Sequence, residues 1–164
     1  MKEMATRLDR VDYEILDLLQ RDARVTMREL GARVGLTGPA VTERVRRLES
    51  LGVITGYHAA VAPERIGLGV VAFLALAIPY EFRPAGAFER AVTHFEEVVE
   101  CYRITGEDAY LLKVAVPDLD ALREALDRLG EFGRVKSTLV LSSPKGHTPL
   151  QPREATSIVR SGAD

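Results

Sequence analysis

Apolar residues in the first 52 positions recur at helical spacing in three short blocks. The first block opens at Asp9, with Asp12 three residues later, which is the spacing of a capping box. The second begins at about Thr26, and the third follows Thr37 and ends at Gly52. The inward positions are Ile15, Leu16, Leu18 and Leu19, then Leu30 and Val34, and then Val41, Val45, Leu48 and Leu51. Three short helices joined by tight turns predict a helix-turn-helix unit, with a three-helix bundle that does not bind DNA as the alternative.

Beyond position 52 the apolar period changes from helical to alternating. Residues 53–54 and 57–61 predict a short extended segment or a hairpin, which the turn-forming residues 63–67 then end. We therefore predict the helix-turn-helix unit over residues 1–52 and an extended linker or hinge over residues 53–67.

The next stretch, residues 68–143, alternates between strand and helix periods. The predicted elements are a strand at 68–78, a helix at 87–97, strands at 98–105 and 110–116, a helix at 119–132 and a strand at 134–141. The inward stripes of the two helices are Phe88, Ala91, Val92 and Phe95, and Leu119, Leu122, Leu126 and Leu129. This order predicts a ferredoxin-like domain, in which an antiparallel sheet carries both helices on one face. The predicted fold class is α+β: an N-terminal winged-type helix-turn-helix, a C-terminal ferredoxin-like βαββαβ domain, and a tail at 144–164 that is flexible or ordered by a partner.

The first strand of this domain is apolar on both faces. One face carries Val70, Ala72, Leu74, Leu76 and Ile78, and the other carries Val71, Phe73, Ala75 and Ala77. Helices cover only one face of such a sheet, so the second apolar face predicts burial against another sheet. A homodimer through the sheets follows, and an unusually apolar solvent face is the alternative.

Charge is unevenly distributed along the chain. The 164 residues are 46% apolar and 28% charged, with a formal net charge of −2, so no overall basicity indicates nucleic acid. Residues 24–47 nevertheless hold six arginines against two glutamates, a local net charge of +4. Such a basic cluster favours a DNA-binding module, although a solvated helix face has the same composition.

The third helix carries the candidate DNA contacts. With Val41, Val45 and Leu48 inward, the helical period places Arg44 and Arg47 on the flank. The residues that it places outward are Pro39, Thr42, Glu43, Arg46 and Ser50. Residues near the start of a recognition helix reach base edges, whereas arginines further along suit phosphates. The candidate DNA-binding residues are Arg28, Thr37, Gly38, Pro39, Thr42, Glu43, Arg46 and Arg47. An ion pair of Glu43 with Arg46 or Arg47 is the alternative to base readout by Glu43.

The candidate chemistry excludes several classes of protein. A single cysteine, Cys101, and three separated histidines predict neither a metal site nor a cofactor. No glycine-rich phosphate loop or catalytic motif occurs, so we expect no enzyme activity. The longest apolar run, residues 67–79, is too short to cross a membrane, and the N-terminus lacks a signal-peptide core. A cytoplasmic protein without a membrane partner is expected.

Motifs in both halves occur in a specific order and spacing. In the first half they are Leu8, Asp9, Asp12, Ile15, Leu16, Leu19, Gln20, Arg24, Leu30, Leu36, Thr37, Val41, Arg44, Val45, Arg47, Leu48 and residues 51–57. In the second half they are Thr105, Gly106 and residues 110–114 and 140–142. Over residues 8–143 the chain resembles the Lrp/AsnC, or feast/famine, family of bacterial and archaeal transcription regulators. The resemblance implies a helix-turn-helix that docks in the major groove of double-stranded DNA and a second domain that oligomerises and, in many members, binds an amino acid. It also implies dimers, often assembled into octamers.

The candidate effector site is the turn between the second and third strands. Gly106 permits a positive φ with exposed backbone amides, which suit an α-carboxylate, and Glu107 or Asp108 suits an α-ammonium group. The candidate effector-binding residues are Tyr102, Thr105, Gly106, Glu107 and Asp108. Family members often carry Asp immediately before the tyrosine, where this chain has Ala109, so the identity and existence of the effector stay open. A plain hairpin turn with two solvated acids is the alternative.

The expected function is sequence-specific regulation of transcription, responsive to an amino acid or related small effector. Two other functions stay open at this stage. One is an architectural DNA-binding protein of the nucleoid type that has no effector. The other is a small-molecule-binding subunit that contacts an enzyme, which leaves the helix-turn-helix unexplained.

Overall fold

The chain divides into two compact units, residues 1–59 with 145–164 and residues 60–144. The computed structural model describes residues 8–79, 86–146 and 148–150. The first unit contains α1 (Arg10–Arg21), α2 (Met27–Val34) and α3 (Gly38–Ser50). The second contains a 3₁₀ helix (Pro63–Ile66), then β1 (Val70–Ala77), α4 (Ala87–Val92), β2 (Val98–Arg103), β3 (Tyr110–Val116), α5 (Leu119–Gly130) and β4 (Arg134–Leu139).

Side-chain caps begin the three helices of the first unit where the sequence predicts them. The Asp9 carboxylate accepts a hydrogen bond from the Asp12 amide at 2.9 Å, and the Asp12 carboxylate accepts one from the Asp9 amide at 3.0 Å. Thr26 forms the same reciprocal pair with Glu29 at the start of α2, whereas Thr37 caps α3 through its own side chain alone. Gly35 ends α2 at φ +71°, a conformation that lets the chain turn sharply into α3. The predicted helix-turn-helix is confirmed.

The core of this unit lies between the three helices. Its buried apolar residues are Ile15, Leu19, Val25, Leu30, Val41, Val45 and Leu48. The inward stripe predicted for α3 is therefore confirmed, except that Leu51 lies beyond the helix and is exposed.

The segment after α3 is irregular. Of the two alternatives predicted here, a hairpin is not formed, because residues 51–62, all described, contain no strand. The amides of Val53 and Ile54 instead donate to the Leu48 carbonyl, at 2.9 and 3.2 Å, and so satisfy the end of α3. The Tyr57 hydroxyl donates to Glu49 of α3 at 3.0 Å.

The second unit is a four-stranded antiparallel sheet with the order β2-β3-β1-β4. Its helix-covered face holds a core built on Leu74, Leu76, Leu112 and Val114, all fully buried. Alternate residues point to opposite faces of a strand, so Val71, Phe73, Ala75 and Ala77 lie on the other face. There Phe73 lies opposite Lys113 of β3 and Thr138 of β4. The predicted βαββαβ order and the two faces of the first strand are confirmed.

Two predictions about the helices of this unit are wrong in detail. The first predicted helix ends at Val92 rather than at 97, because the amides of His94 and Phe95 bond to carbonyls three residues back. Phe95 then packs edge-on against Phe132, at 6.3 Å between ring centroids. Leu119 was predicted to face inward but is 61% exposed, since the buried face of α5 runs through Leu122, Ala125 and Leu129.

The described part of the tail contacts the first unit of the same chain. The Leu150 amide donates to the side-chain oxygen of Gln20 on α1 at 2.7 Å, and the Gln20 side-chain nitrogen donates to the Leu150 carbonyl at 3.2 Å. The sequence predicts a tail that is flexible or ordered by a partner. In the structure, Leu150 of this tail is hydrogen-bonded to α1 of its own chain. The rest of that prediction, residues 147 and 151–164, lies outside the described residues.

Candidate functional site

The outer surface of α3 presents three of the predicted DNA-binding residues to solvent. Pro39, Glu43 and Arg46 are exposed, on the side of the helix away from the buried stripe. Within the described part of the chain, no opposite charge lies within 4.0 Å of the Glu43 or Arg46 side chain. The ion pair considered as an alternative for Glu43 is therefore not formed, and both side chains are available to a partner.

The start of α3 lies against α2. A Cβ built on Gly38 would come within 3.8 Å of the Arg28 backbone, so these two elements approach closely. The Thr37 hydroxyl oxygen accepts a hydrogen bond from the Ala40 amide, and the Thr42 hydroxyl donates to the Gly38 carbonyl at 2.9 Å. The fold thus places Arg28 beside the N-terminal turn of α3, where the predicted DNA-binding residues Gly38 and Pro39 also lie.

Arg44 and Arg47, on the flank of α3, are held by acidic groups of α1 and its cap. The Arg44 Nη1 atom lies 2.7 Å from Asp9 Oδ2 and 2.8 Å from Asp12 Oδ1. Arg47 Nη1 lies 3.1 Å from Asp12 Oδ2. The Asp12 amide and the Arg44 guanidinium lower the pKa of Asp9, and the same ion pairs raise the pKa of Arg44.

Sequence reasoning assigned Asp12 only to helix capping and missed its second role. Asp12 is fully buried and joins α1 to α3 through both arginines. The available signal was the spacing of Arg44 and Arg47, three residues apart on one flank of a helix whose inward stripe was already known. The predicted DNA contact Arg47 therefore has one guanidinium nitrogen engaged within the unit, and its side chain is 39% exposed.

The predicted effector turn lies between β2 and β3. Gly106 adopts φ +113°, which L side chains rarely adopt, and no atom lies near the position of an added Cβ. Glu107 pairs with Arg134 at 2.6 Å, and Asp108 pairs with Lys136 at 3.3 Å, both through cations of β4. The Glu107 side chain is 73% exposed, whereas that of Asp108 is 17% exposed. The alternative of a plain turn with two solvated acids therefore does not hold for Asp108.

Asp108 has one carboxylate oxygen that lacks a partner. Its Oδ1 atom is buried and has no hydrogen-bond donor among the described residues. A buried acceptor left without a donor is costly, so this atom favours a ligand that brings one. Tyr102 is exposed on β2 and donates its hydroxyl to Glu100 at 2.7 Å, which raises the pKa of Tyr102.

Comparison with known proteins gives matches to both halves. Residues 8–55 match the winged helix-turn-helix DNA-binding family, and residues 80–150 match the Lrp/AsnC ligand binding domain. The HTH-type transcriptional regulator LrpA of Mycobacterium tuberculosis is 39% identical over 151 residues, which cover 89% of this chain and 100% of that protein. The chain belongs to the Lrp/AsnC family.

Other Lrp/AsnC proteins agree with this assignment in sequence and in structure. The leucine-responsive regulatory protein of Escherichia coli is 41% identical over 123 residues, which cover 73% of each chain. A crystal structure of the M. tuberculosis feast or famine regulatory protein complexed with L-methionine matches with a TM-score of 0.83 at 38% identity, covering 88% of this chain and 99% of that one. An L-methionine complex of a Neisseria meningitidis transcriptional regulator has a TM-score of 0.80 at 34% identity, covering 87% and 96%.

The predicted family and fold class are confirmed by these matches. The chain is a DNA-binding transcriptional regulator of the Lrp/AsnC family, and the relatives named here are regulators of transcription rather than enzymes. No helix in the described ranges is both long and apolar enough to cross a membrane. The described residues also contain no group of three or more side chains suited to holding a metal ion.

Proposed function

We propose that this Lrp/AsnC regulator reads specific double-stranded DNA sites with α3 and adjusts its binding to an amino acid or related small effector. The observation that carries the proposal is the exposed surface of α3, where Glu43 and Arg46 are uncommitted while the opposite stripe is buried. Helix N-termini and exposed arginines are the groups that contact bases and phosphates in the major groove.

The proposed contacts divide by chemistry. Thr42, Glu43 and Arg46 face base edges, and Glu43 is suited to accept from a cytosine amino group. Thr37, Gly38 and Pro39 permit close approach of the backbone, whereas Arg28 and Arg47 contact phosphates. Residues 1–52 are proposed to carry DNA binding, followed by the linker at 53–67 and an effector-binding and oligomerisation domain at 68–143.

Arg46→Ala in the full chain tests this assignment. The DNA is a duplex enriched from a randomised pool by the wild-type protein, and affinity is measured over a range of salt concentrations. Each lost phosphate contact makes the decrease of log affinity with log salt less steep by about 0.9. In a dimer, which carries two copies of the substitution, the slope becomes less steep by about 1.8. Because Arg46 is proposed to read a base, discrimination against the wrong base is expected to fall by about 1–3 kcal/mol in Arg46→Ala. The slope changes as well only if the same side chain also contacts a phosphate.

Arg10→Ala is the matched control, because it removes the same charge from the same unit. The Arg10 side chain is 92% exposed and, among the residues that the structure describes, forms an ion pair only with Glu14 on α1. Wild-type affinity, slope and discrimination in the Arg46 variant would show that α3 is not the reading helix.

The proposed effector site is the β2–β3 turn, built from Tyr102, Thr105, Gly106, Glu107 and Asp108. Relatives of 38% and 34% identity have been crystallised with L-methionine. In this chain the buried Oδ1 of Asp108 lacks a donor, which an α-ammonium group supplies.

A thermal-shift screen of the full chain against the twenty amino acids tests the effector. A ligand that binds only the native state raises the melting temperature, and D-enantiomers serve as controls for specific binding. If no amino acid changes the melting temperature at millimolar concentration, the effector part of the proposal fails while DNA binding is unaffected.

We further propose a homodimer formed through the C-terminal sheets and assembled into octamers, in the cytoplasm. The open sheet face of Val71, Phe73, Ala75 and Ala77 supports the dimer, because the helices of the unit pack on the opposite face.

A further inference from the structure

Asp12 is the one charged side chain that is fully buried among the described residues. Both of its carboxylate oxygens are used: Oδ1 accepts from Arg44 at 2.8 Å, while Oδ2 accepts from Arg47 at 3.1 Å and from the Asp9 amide at 3.0 Å. Its two arginine partners are distant from it in the sequence, since Arg44 and Arg47 follow Asp12 by 32 and 35 residues. One carboxylate therefore ties the first helix to the DNA-reading helix at two points.

A buried carboxylate is stable only while it stays paired. If Arg44 left Asp12 for a DNA phosphate, it would exchange a desolvated partner for a solvated one. The buried Oδ1 atom of Asp12 would then lose the hydrogen bond that Arg44 donates to it. Arg44 is doubly held in this sense, because Asp9 accepts from the same Nη1 atom at 2.7 Å. Arg44 is therefore withheld from the DNA backbone, although it directly follows Glu43, one of the proposed reading residues, on α3.

Arg47 is held differently. Only one contact to Asp12 is formed, and 39% of the side chain is exposed. Asp12 thus fixes where the Arg47 guanidinium sits, while the exposed part of the group still faces outward. An arginine fixed in place contacts a phosphate in one register, whereas a mobile arginine contacts any phosphate within reach.

We propose that Asp12 is a positioning residue that sets the sequence specificity of this regulator. It keeps Arg44 away from phosphates and fixes Arg47, so α3 docks in one register and its reading residues decide the affinity. This inference rests on the proposed reading role of α3.

Asp12→Asn in the full chain tests the proposal, because asparagine keeps the size of the side chain and removes the charge that holds both arginines. Affinity is measured against salt for the enriched duplex and for a random-sequence duplex of equal length. In this variant Arg44 keeps only its contact with Asp9, whose side chain is 51% exposed, and such a solvated ion pair holds an arginine weakly. A DNA phosphate can then compete for Arg44, so we expect the salt slope on random DNA to steepen by about 0.9 per protomer. The ratio of specific to nonspecific affinity is expected to fall at least tenfold.

Glu14→Gln is the matched control, since it removes one carboxylate from the exposed side of the same helix. It is expected to leave the slope and the ratio within error of wild type. A purely structural role for Asp12 predicts a different result: Asp12→Asn lowers the melting temperature while the slope and ratio match those of Glu14→Gln. That result would overturn the proposal.

A second variant covers the case in which Asp12→Asn fails to fold, as judged by helical circular dichroism. Arg44→Gln keeps the apolar stem and should leave the slope on random DNA unchanged, because Arg44 is withheld from phosphates in the wild type. A slope reduced by about 0.9 per protomer would show that Arg44 already contacts DNA, and would also overturn the proposal. If Arg46→Ala changes neither the salt slope nor the discrimination between DNA sites, the proposed reading role of α3 is wrong, and the Asp12 proposal falls with it. If Arg46→Ala has an effect but Asp12→Asn changes neither the slope nor the ratio, the reading role stands and only the Asp12 proposal is wrong.

Discussion

Phe73→Glu is expected to separate the proposed dimer into folded monomers. Phe73 lies at the centre of the open sheet face and is 38% exposed in the single chain. In the monomer a glutamate at this position lies opposite Lys113 on β3, and opposite charges across strands are favourable. In the dimer the same carboxylate is buried against a second sheet, so the substitution acts almost entirely on association.

The expected loss of dimerisation free energy follows from the exposed area of the Phe73 side chain. A phenylalanine buries about 200 Å², so the exposed fraction amounts to about 75 Å² per copy. Two copies meet in a twofold interface, and about 150 Å² at about 25 cal/mol per Å² gives about 4 kcal/mol. The dimer dissociation constant should rise by roughly three orders of magnitude, before the cost of desolvating two carboxylates is added.

Sedimentation equilibrium of the full chain measures this constant, and circular dichroism checks that the variant is folded. Leu119→Glu is the control, because Leu119 is 61% exposed on α5, which packs on the other face of the sheet. The reasoning is refuted if Phe73→Glu dimerises as tightly as wild type, or if Leu119→Glu dissociates the dimer to the same extent.

Two further predictions concern the turn and the cap. Gly106→Val should abolish any amino-acid-induced rise in melting temperature, because valine rarely adopts φ +113°. Gly52→Val also places valine at a positive φ, +67°, but in the other unit, and should keep the response. An unchanged response in the Gly106 variant would place the effector elsewhere. The lowered pKa of Asp9 means that its ionised form stabilises the native state above the unfolded pKa of about 3.9, and that this contribution is lost as pH falls through the lower native pKa. The urea concentration at the unfolding midpoint should therefore decrease as the pH is lowered from about 5 to about 2, and it should decrease less in Asp9→Asn than in the wild type. Equal pH profiles for the two proteins would contradict this role of Asp9.

The local features of this protein can be predicted from its sequence alone. The caps at Asp9, Thr26 and Thr37 each join a side chain to an amide three residues away, so residue type and spacing are enough to predict them. The buried stripe of α3 and the two apolar faces of β1 follow from the helical and strand periods alone. The order of elements and the family follow in turn, because both depend on patterns read along the chain.

Contacts between groups that are distant in the sequence depend on how the helices and strands pack. Asp12 meets arginines more than 30 residues away, Glu107 meets Arg134 of β4, and Gln20 meets Leu150 across 130 residues. Local periodicity carries no information on these distances, because they depend on how helices and strands pack. Packing also decided which arginines of α3 stay uncommitted. The helical period places Arg46 outward and Arg44 on the flank, but only the packing of α1 against α3 shows that Arg44 reaches a buried carboxylate. That difference arises because a charge buried between helices must be paired by whatever cation the fold brings to it.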